Sequence, residues 1–153
     1  MQRGRRRVPS AGRATNYMTA KVFLDTNVIV YAIDSAAPAA KRQAARDLLR
    51  DAKFALSTQV VQEFYVTATR KLKKPLSAPV AARWVDQLCR ADCIGLDVAL
   101  VKLAIAHSQR FQISFWDAAI IAAAEMLGVE KVLTEDLNDG QRYGAVTVEN
   151  PFK

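Results

Sequence analysis

The sequence predicts an α/β protein in which helices cover both faces of a mainly parallel sheet. Two observations support this class. Short apolar segments rich in β-branched residues alternate with segments of helical periodicity, which is typical of parallel strands joined by crossover helices. Several of the predicted strands also lead directly into acidic residues. Because ligands bind beyond the carboxyl ends of parallel strands, a functional site is expected at that edge of the sheet.

Five segments are short and apolar enough to be strands, and turn-forming or helix-capping residues follow several of them. They are residues 22–24, 54–56, 93–96, 129–134 and 144–152. Pro151 cannot donate a backbone hydrogen bond, so it ends the last of these strands. We therefore place that strand at an edge of the sheet.

Helices are predicted where apolar residues recur at helical spacing and capping residues mark the ends. They cover residues 28–33, 38–51, 59–71, 77–90, 98–111 and 115–127. Pro38 suits a first helical turn, whereas Asp97 and Ser114 suit N-cap positions. The last helix, which Gly128 ends, is almost uniformly apolar and is therefore expected to be buried.

The chain has 153 residues and a net charge of +7, which is unevenly distributed. Residues 1–20 contain five arginines and no acid, so the remaining residues carry a net charge of only +2. We interpret residues 1–20 as a basic leader that is expected to be disordered, and residues 21–153 as one folded domain. The alternative is that the arginines bind phosphates nonspecifically.

Cys89 and Cys93 are the only cysteines, and His107 is the only histidine. These three residues do not form a zinc-binding pattern, so both cysteines are expected to pack as small apolar residues in a reducing cytoplasm. His107 is expected to be structural. No apolar run approaches the length of about 20 residues that spans a bilayer, so no membrane segment is predicted.

Four acids occur at comparable positions relative to the predicted strands. Asp25 follows the first strand, Glu63 lies in the helix after the second, Asp117 begins the apolar helix, and Asp136 follows the fourth strand. Such carboxylates repel one another unless a cation neutralises them, and their hard oxygens suit Mg²⁺ or Mn²⁺. The alternative for Asp117 is a structural capping pair with Ser114.

The sequence blocks around these acids resemble the PIN domain, specifically the VapC-type toxin nucleases of toxin–antitoxin modules. The blocks are Phe-Leu-Asp25-Thr-Asn-Val, Gln-Val-Val-Gln-Glu63-Phe, Ser-Phe-Trp-Asp117-Ala-Ala-Ile and Leu-Thr-Glu-Asp136-Leu. Each block is weak alone, whereas the ordered set of four is specific. The resemblance extends from about Lys21 to the end of the chain.

This resemblance implies a three-layer α/β/α fold, with a central sheet of four to five strands, and a metal-dependent endoribonuclease. The four acids would form the catalytic and metal-binding quartet, with Asn27 and Thr134 as supporting polar groups. Mg²⁺ or Mn²⁺ would be the cofactor and RNA the substrate. It also implies a cytoplasmic homodimer that a cognate antitoxin protein inhibits.

Three questions remain open at the level of sequence. Glu135 and Asp139 are alternatives to Asp136 as the fourth acid. A haloacid-dehalogenase-type phosphotransferase also begins with a strand that ends in Asp, but its chemistry needs a second Asp where this chain has Asn27. A noncatalytic PIN scaffold that binds RNA or protein is the remaining alternative, although a scaffold has no evident need for four clustered acids.

Overall fold

In the computed structural model, which describes residues 20–153, six strands form a single sheet in the order β3-β2-β1-β4-β6-β5. The strands are β1 (Val22–Leu24), β2 (Phe54–Ser57), β3 (Asp92–Ile94), β4 (Lys131–Leu133), β5 (Arg142–Tyr143) and β6 (Val146–Glu149). Neighbouring strands are parallel except for the antiparallel pair β5 and β6. The predicted mainly parallel sheet is confirmed, with one more strand than expected.

Six α-helices complete a three-layer α/β structure. They are α1 (Thr26–Ile33), α2 (Ala39–Asp51), α3 (Thr58–Val66), α4 (Ala78–Leu88), α5 (Val98–Phe111) and α6 (Phe115–Met126). The capping predictions are confirmed, because the side chains of Asp97 and Ser114 accept hydrogen bonds from backbone N–H groups of the first turns of α5 and α6. Residues 67–71, predicted as the end of α3, instead form a π-helical turn.

The extra strand β5 occupies the edge that we predicted for the last strand, so that prediction is wrong. β5 and β6 form a hairpin in which Tyr143 pairs with Val146 across a two-residue turn. Gly144 begins this turn with φ at +61°, a conformation that glycine adopts without steric cost. Pairing across the hairpin therefore places β6 inside the sheet, between β4 and β5.

Helix α6 lies at the centre of the core, as its apolar sequence predicts. Every residue from Ala118 to Ala124 is buried, and the helix packs against α5 and strands of the sheet. Its alanines have small side chains, which allows close approach of neighbouring elements. Because residues 118–124 are buried, the helix is fixed relative to the sheet, and its more exposed first turn, which includes Asp117, is positioned with it.

The two cysteines are exposed, so the prediction that they pack in the interior is wrong. Cys89 ends α4, and Cys93 lies in β3, which is the other edge of the sheet and has little cover. His107 is buried, and its Nε2 atom lies 2.6 Å from Oε2 of Glu125, which agrees with a structural role. Between residues 20 and 153, no helix combines the length and apolarity needed to cross a membrane.

Candidate metal-binding acidic site

The four predicted acids lie at or near the carboxyl edge of the sheet. Asp25 directly follows β1 and caps α1, whereas Glu63 lies in α3, which begins where β2 ends. Asp136 follows β4, and Asp117 lies in the first turn of α6. Because β2, β1 and β4 are adjacent and parallel, their carboxyl ends bring Glu63, Asp25 and Asp136 to the same edge of the sheet.

Asp25 is the most buried of the four acids, with only 7% of its surface exposed. Its Oδ1 atom accepts a hydrogen bond of 2.7 Å from the backbone N–H of Thr26, and its Oδ2 atom accepts one of 2.8 Å from the hydroxyl of Thr134. Burial raises the pKa of Asp25 to about 6, and the charges of Asp136 and Glu63 add to the effect while the two hydrogen bonds oppose it. The carboxylate is therefore held firmly in an environment that disfavours its charge.

Asn27 and Thr134 connect Asp25 with Asp136. The Nδ2 group of Asn27 lies 2.9 Å from Oδ2 of Asp136, 3.1 Å from the Thr134 hydroxyl and 3.5 Å from Oδ2 of Asp25. The hydroxyl of Thr134, which is fully buried, also accepts a hydrogen bond from the backbone N–H of Asp136. The structure therefore places both residues where their side chains orient two of the four acids.

Glu63 is held by two residues that sequence reasoning did not identify. Its Oε2 atom accepts a hydrogen bond of 2.7 Å from the Thr26 hydroxyl, and its Oε1 atom accepts one of 3.1 Å from Nε2 of Gln59. Gln59 also reaches the backbone oxygen of Trp116 at 3.3 Å, which connects α3 with the start of α6. The signal for Gln59 was its position four residues before Glu63, on the same face of the helix.

Asp117 is partly buried at the start of α6, and it faces the same group of charges. Burial raises its pKa, and the charges of Asp136 and Glu63 raise it further, whereas a hydrogen bond with Ser114 lowers it. Its backbone N–H also donates to the Ser114 hydroxyl at 3.1 Å. The capping interaction of Ser114 with this turn is therefore real, and the carboxylate of Asp117 is nevertheless part of the acidic cluster.

The structure places the three candidates for the fourth acid in different surroundings. Glu135 is held away from the cluster by hydrogen bonds from Tyr31 and from Lys41, whose Nζ atom lies 3.0 Å from its Oε2. Asp139 accepts a hydrogen bond from the backbone N–H of Asn150 and pairs with the amino group of the C-terminal lysine. Asp136 is therefore the one of the three whose carboxylate is bound by Asn27 beside Asp25.

The cluster has no cationic partner within residues 20–153, since none of the lysines and arginines there forms an ion pair with any of the four acids. Its carboxylate, hydroxyl and amide oxygens are the ligand types that Mg²⁺ and Mn²⁺ prefer. The Oδ1 atom of Asn27 is buried without a hydrogen-bond partner in this part of the chain, which also leaves a hard oxygen free. The chemical types of these side chains therefore suit a divalent cation.

The carboxylates are nevertheless separate from one another in this structure. No three His, Cys, Asp or Glu side chains between residues 20 and 153 are close enough together to share a single ion. Glu63 accepts hydrogen bonds from Thr26 and Gln59, and Asp136 accepts one from Asn27, so both carboxylates are directed toward protein donors.

A mainly parallel sheet with acidic side chains at its carboxyl edge has the arrangement in which α/β proteins bind ligands. The family model of the PIN domain matches residues 22–142, and the chain therefore belongs to the PIN domain family. No curated protein sequence matches the chain.

Solved structures share this fold over most of the chain. A toxin–antitoxin complex from Klebsiella pneumoniae has a TM-score of 0.65 at 19% identity, and the match covers 86% of this chain and 98% of that chain. VapC20 from Mycobacterium tuberculosis, a toxin that cleaves the sarcin–ricin loop, has a TM-score of 0.60 at 20% identity, with coverages of 72% and 86%. VapBC2 from Rickettsia felis, bound to a promoter DNA fragment, has a TM-score of 0.59 at 21% identity, with coverages of 84% and 97%. The three-layer PIN fold is thus confirmed.

Proposed function

We propose that the protein is a Mg²⁺- or Mn²⁺-dependent endoribonuclease that hydrolyses RNA phosphodiester bonds. The observation that carries this proposal is the cluster formed by Asp25, Glu63, Asp117 and Asp136 without a cationic partner in the described part of the chain. Clustered carboxylates oppose folding unless a cation neutralises them, so their presence is best explained by cation binding. Divalent cations are also what phosphodiester hydrolysis commonly uses.

In this proposal the side chains of the four acids would turn toward a shared cation, which when bound would supply an activated water and neutralise charge on the phosphate. The supporting residues orient the acids: Thr134 directs Asp25, and Asn27 directs Asp136. A histidine-driven reaction is not available to this site, since the only histidine, His107, pairs with Glu125. We therefore expect products with 5′-phosphate and 3′-hydroxyl ends.

The biological role that we propose is that of the toxin in a type II toxin–antitoxin module, acting as a homodimer and inhibited by a cognate antitoxin. Support comes from the shared fold of this chain and of proteins that are toxins or parts of toxin–antitoxin complexes. Growth inhibition on expression that a neighbouring antitoxin gene fails to relieve would count against this role.

The proposed chemistry is tested by incubating the full chain with a panel of structured RNAs. We expect cleavage in Mg²⁺ or Mn²⁺ and its loss in excess EDTA, with recovery when Mg²⁺ is restored, because the carboxylates cannot activate water without the cation. End-group analysis of the products identifies the 5′-phosphate. Cleavage that continues undiminished in EDTA would refute the metal mechanism, and no cleavage of any RNA would favour the noncatalytic scaffold.

A paired substitution tests the assignment of the fourth acid. In Asp136→Asn the amide oxygen can still accept from Asn27, so the variant loses charge but keeps its anchor. We expect the cleavage rate to fall at least about tenfold, the usual scale for disturbing a metal site. Glu135→Gln, at the neighbouring position, should change the rate by less than about twofold, because Glu135 already pairs with Lys41 outside the cluster.

Melting temperatures of both variants show whether any loss reflects unfolding. An equal loss of cleavage in the two variants would contradict the assignment of Asp136, and not Glu135, as the fourth acid.

A further inference from the structure

A groove begins at the acidic site and runs along the end of α3. It has a volume of about 370 Å³, and its lining includes Thr26, Gln62, Glu63, Thr67 and Lys71. Glu63 and Thr26, which are hydrogen-bonded to each other at 2.7 Å, form the end nearest the acids. Lys71 contributes a positive charge to a groove whose other end is acidic.

The π-helical turn at Thr67–Lys71 explains why Lys71 lines this groove. In a continuous α-helix, the residue two turns beyond Glu63 would be Arg70, since about seven residues make two turns. A π-turn closes between residues i and i+5 and so takes one residue more than an α-turn. The residue that returns to the face of Glu63 and Thr67 is therefore Lys71, which lines the groove, whereas Arg70 does not.

The loop after this turn adds further positive charge at the same place. The backbone N–H of Leu76 donates to the oxygen of Ala68 at 2.8 Å, which folds the loop back against the π-turn and leaves Lys73 and Lys74 exposed. Within residues 20–153, none of Lys71, Lys73 and Lys74 takes part in an ion pair. By contrast, Lys41 and Lys131 are neutralised by glutamates.

We propose that Lys71, together with Lys73 and Lys74, binds backbone phosphates of the RNA strand that extends from the acidic site along this groove. The inference rests on the proposed ribonuclease function, because it needs a polyanion that enters the site. An RNA strand satisfies both ends of the groove: one phosphate lies at the acids with their cation, and the next phosphates along the strand meet unneutralised lysines. The contacts are with the backbone, so they strengthen binding of any sequence.

The test measures binding of a short fluorescent single-stranded RNA as a function of KCl concentration. It uses the full chain in the Asp117→Asn background, in which we expect cleavage to be at least about 10²-fold slower than in the wild type. The slope of log K against log[salt] is negative, and adding Lys71→Gln should lower its magnitude by about 0.7, the value for one single-strand phosphate contact. This change corresponds to about a fivefold loss of affinity at 0.1 M salt. Lys71→Arg should retain the slope, and Lys73→Gln with Lys74→Gln should lower its magnitude further.

The matched control is Lys53→Gln, which removes the same charge from an exposed lysine. Lys53 lies next to the amino end of β2, whereas the acids lie at the carboxyl ends of the strands. It should leave the slope unchanged, and the arginines of residues 1–20 contribute equally to every variant. A slope whose magnitude falls equally for Lys53→Gln and Lys71→Gln would refute the proposal, because the effect would then be one of net charge alone.

A second readout separates this proposal from the proposed function. In the otherwise wild-type chain, Lys71→Gln should raise KM for RNA cleavage and leave kcat unchanged, as expected for a binding contact remote from the reacting bond. Cleavage with unaltered KM would refute the phosphate contact while the ribonuclease function stands. Absence of any cleavage by the wild-type chain would refute the function itself.

Poly-L-glutamate serves as the competing polyanion. Binding of poly-L-glutamate that depends on Lys71, with RNA binding that does not, would assign the lysines to an acidic protein partner and overturn the proposal.

Discussion

Asp117→Asn is expected to reduce Mg²⁺-dependent RNA cleavage by about 10²- to 10³-fold, the scale for removing one preorganised electrostatic group from an active site. The substitution keeps the shape of the side chain and removes one of four charges that would hold the cation. Asp117 shares its surroundings with Asp136 and Glu63, whose charges act on its pKa. Cleavage is measured in single-turnover conditions so that chemistry and product release are separated.

The fold should survive this substitution. The pKa of Asp117 is raised in the folded protein, so the protonated carboxyl group favours folding. At pH values above the ordinary pKa of an Asp, ionisation of this carboxyl group therefore lowers the free energy of unfolding. A neutral Asn therefore should not lower the free energy of unfolding at neutral pH, as circular dichroism and the melting temperature would show. Asp92→Asn is the matched control, because Asp92 is exposed at the amino end of β3, and it should cleave like the wild type. Full activity of Asp117→Asn would remove Asp117 from the proposed site.

Phe64→Ala is expected to cost about 3–5 kcal/mol of the free energy of unfolding, the usual range for emptying a buried aromatic site. Phe64 is 0% exposed, and its ring centroid lies 6.4 Å from that of Trp84 in α4. It follows Glu63 directly in α3 and fastens that helix to the core. Since 1 kcal/mol corresponds to about 2–4 °C for a chain of this size, the melting temperature should fall by roughly 10 °C.

The neighbouring Tyr65 supplies the control for this prediction. Tyr65 is 38% exposed, so Tyr65→Ala should cost much less than Phe64→Ala in the same urea or thermal unfolding measurement. Similar losses for the two variants would show that α3 is not anchored through Phe64. Because Phe64 does not belong to the acidic site, we expect the specific activity of the folded fraction of Phe64→Ala to change less than that of Asp117→Asn.

Much of the architecture was predictable because its signals are local. Capping by Asp97 and Ser114 depends on residues three positions away, and the burial of α6 follows from its own apolar composition. The π-turn after α3 was not predictable in this way, since no residue in 67–71 is a helix breaker. The edge position of β5 was missed because a two-residue strand is too short for its alternation to be recognised.

The sequence by itself determined the fold class and the PIN family. It also determined the positions of Asp25, Glu63 and Asp117 relative to the strands and helices, since these positions follow from the order of the elements along the chain. Only the tertiary structure shows the different surroundings of the neighbouring acids near residue 136. Asp136 is held by Asn27, 109 positions earlier, and Glu135 by Tyr31, 104 positions earlier. Hydrogen bonds between residues so far apart in sequence depend on which strands become neighbours in the sheet. The local pattern of residues therefore does not predict which of two adjacent acids receives which hydrogen-bond donor.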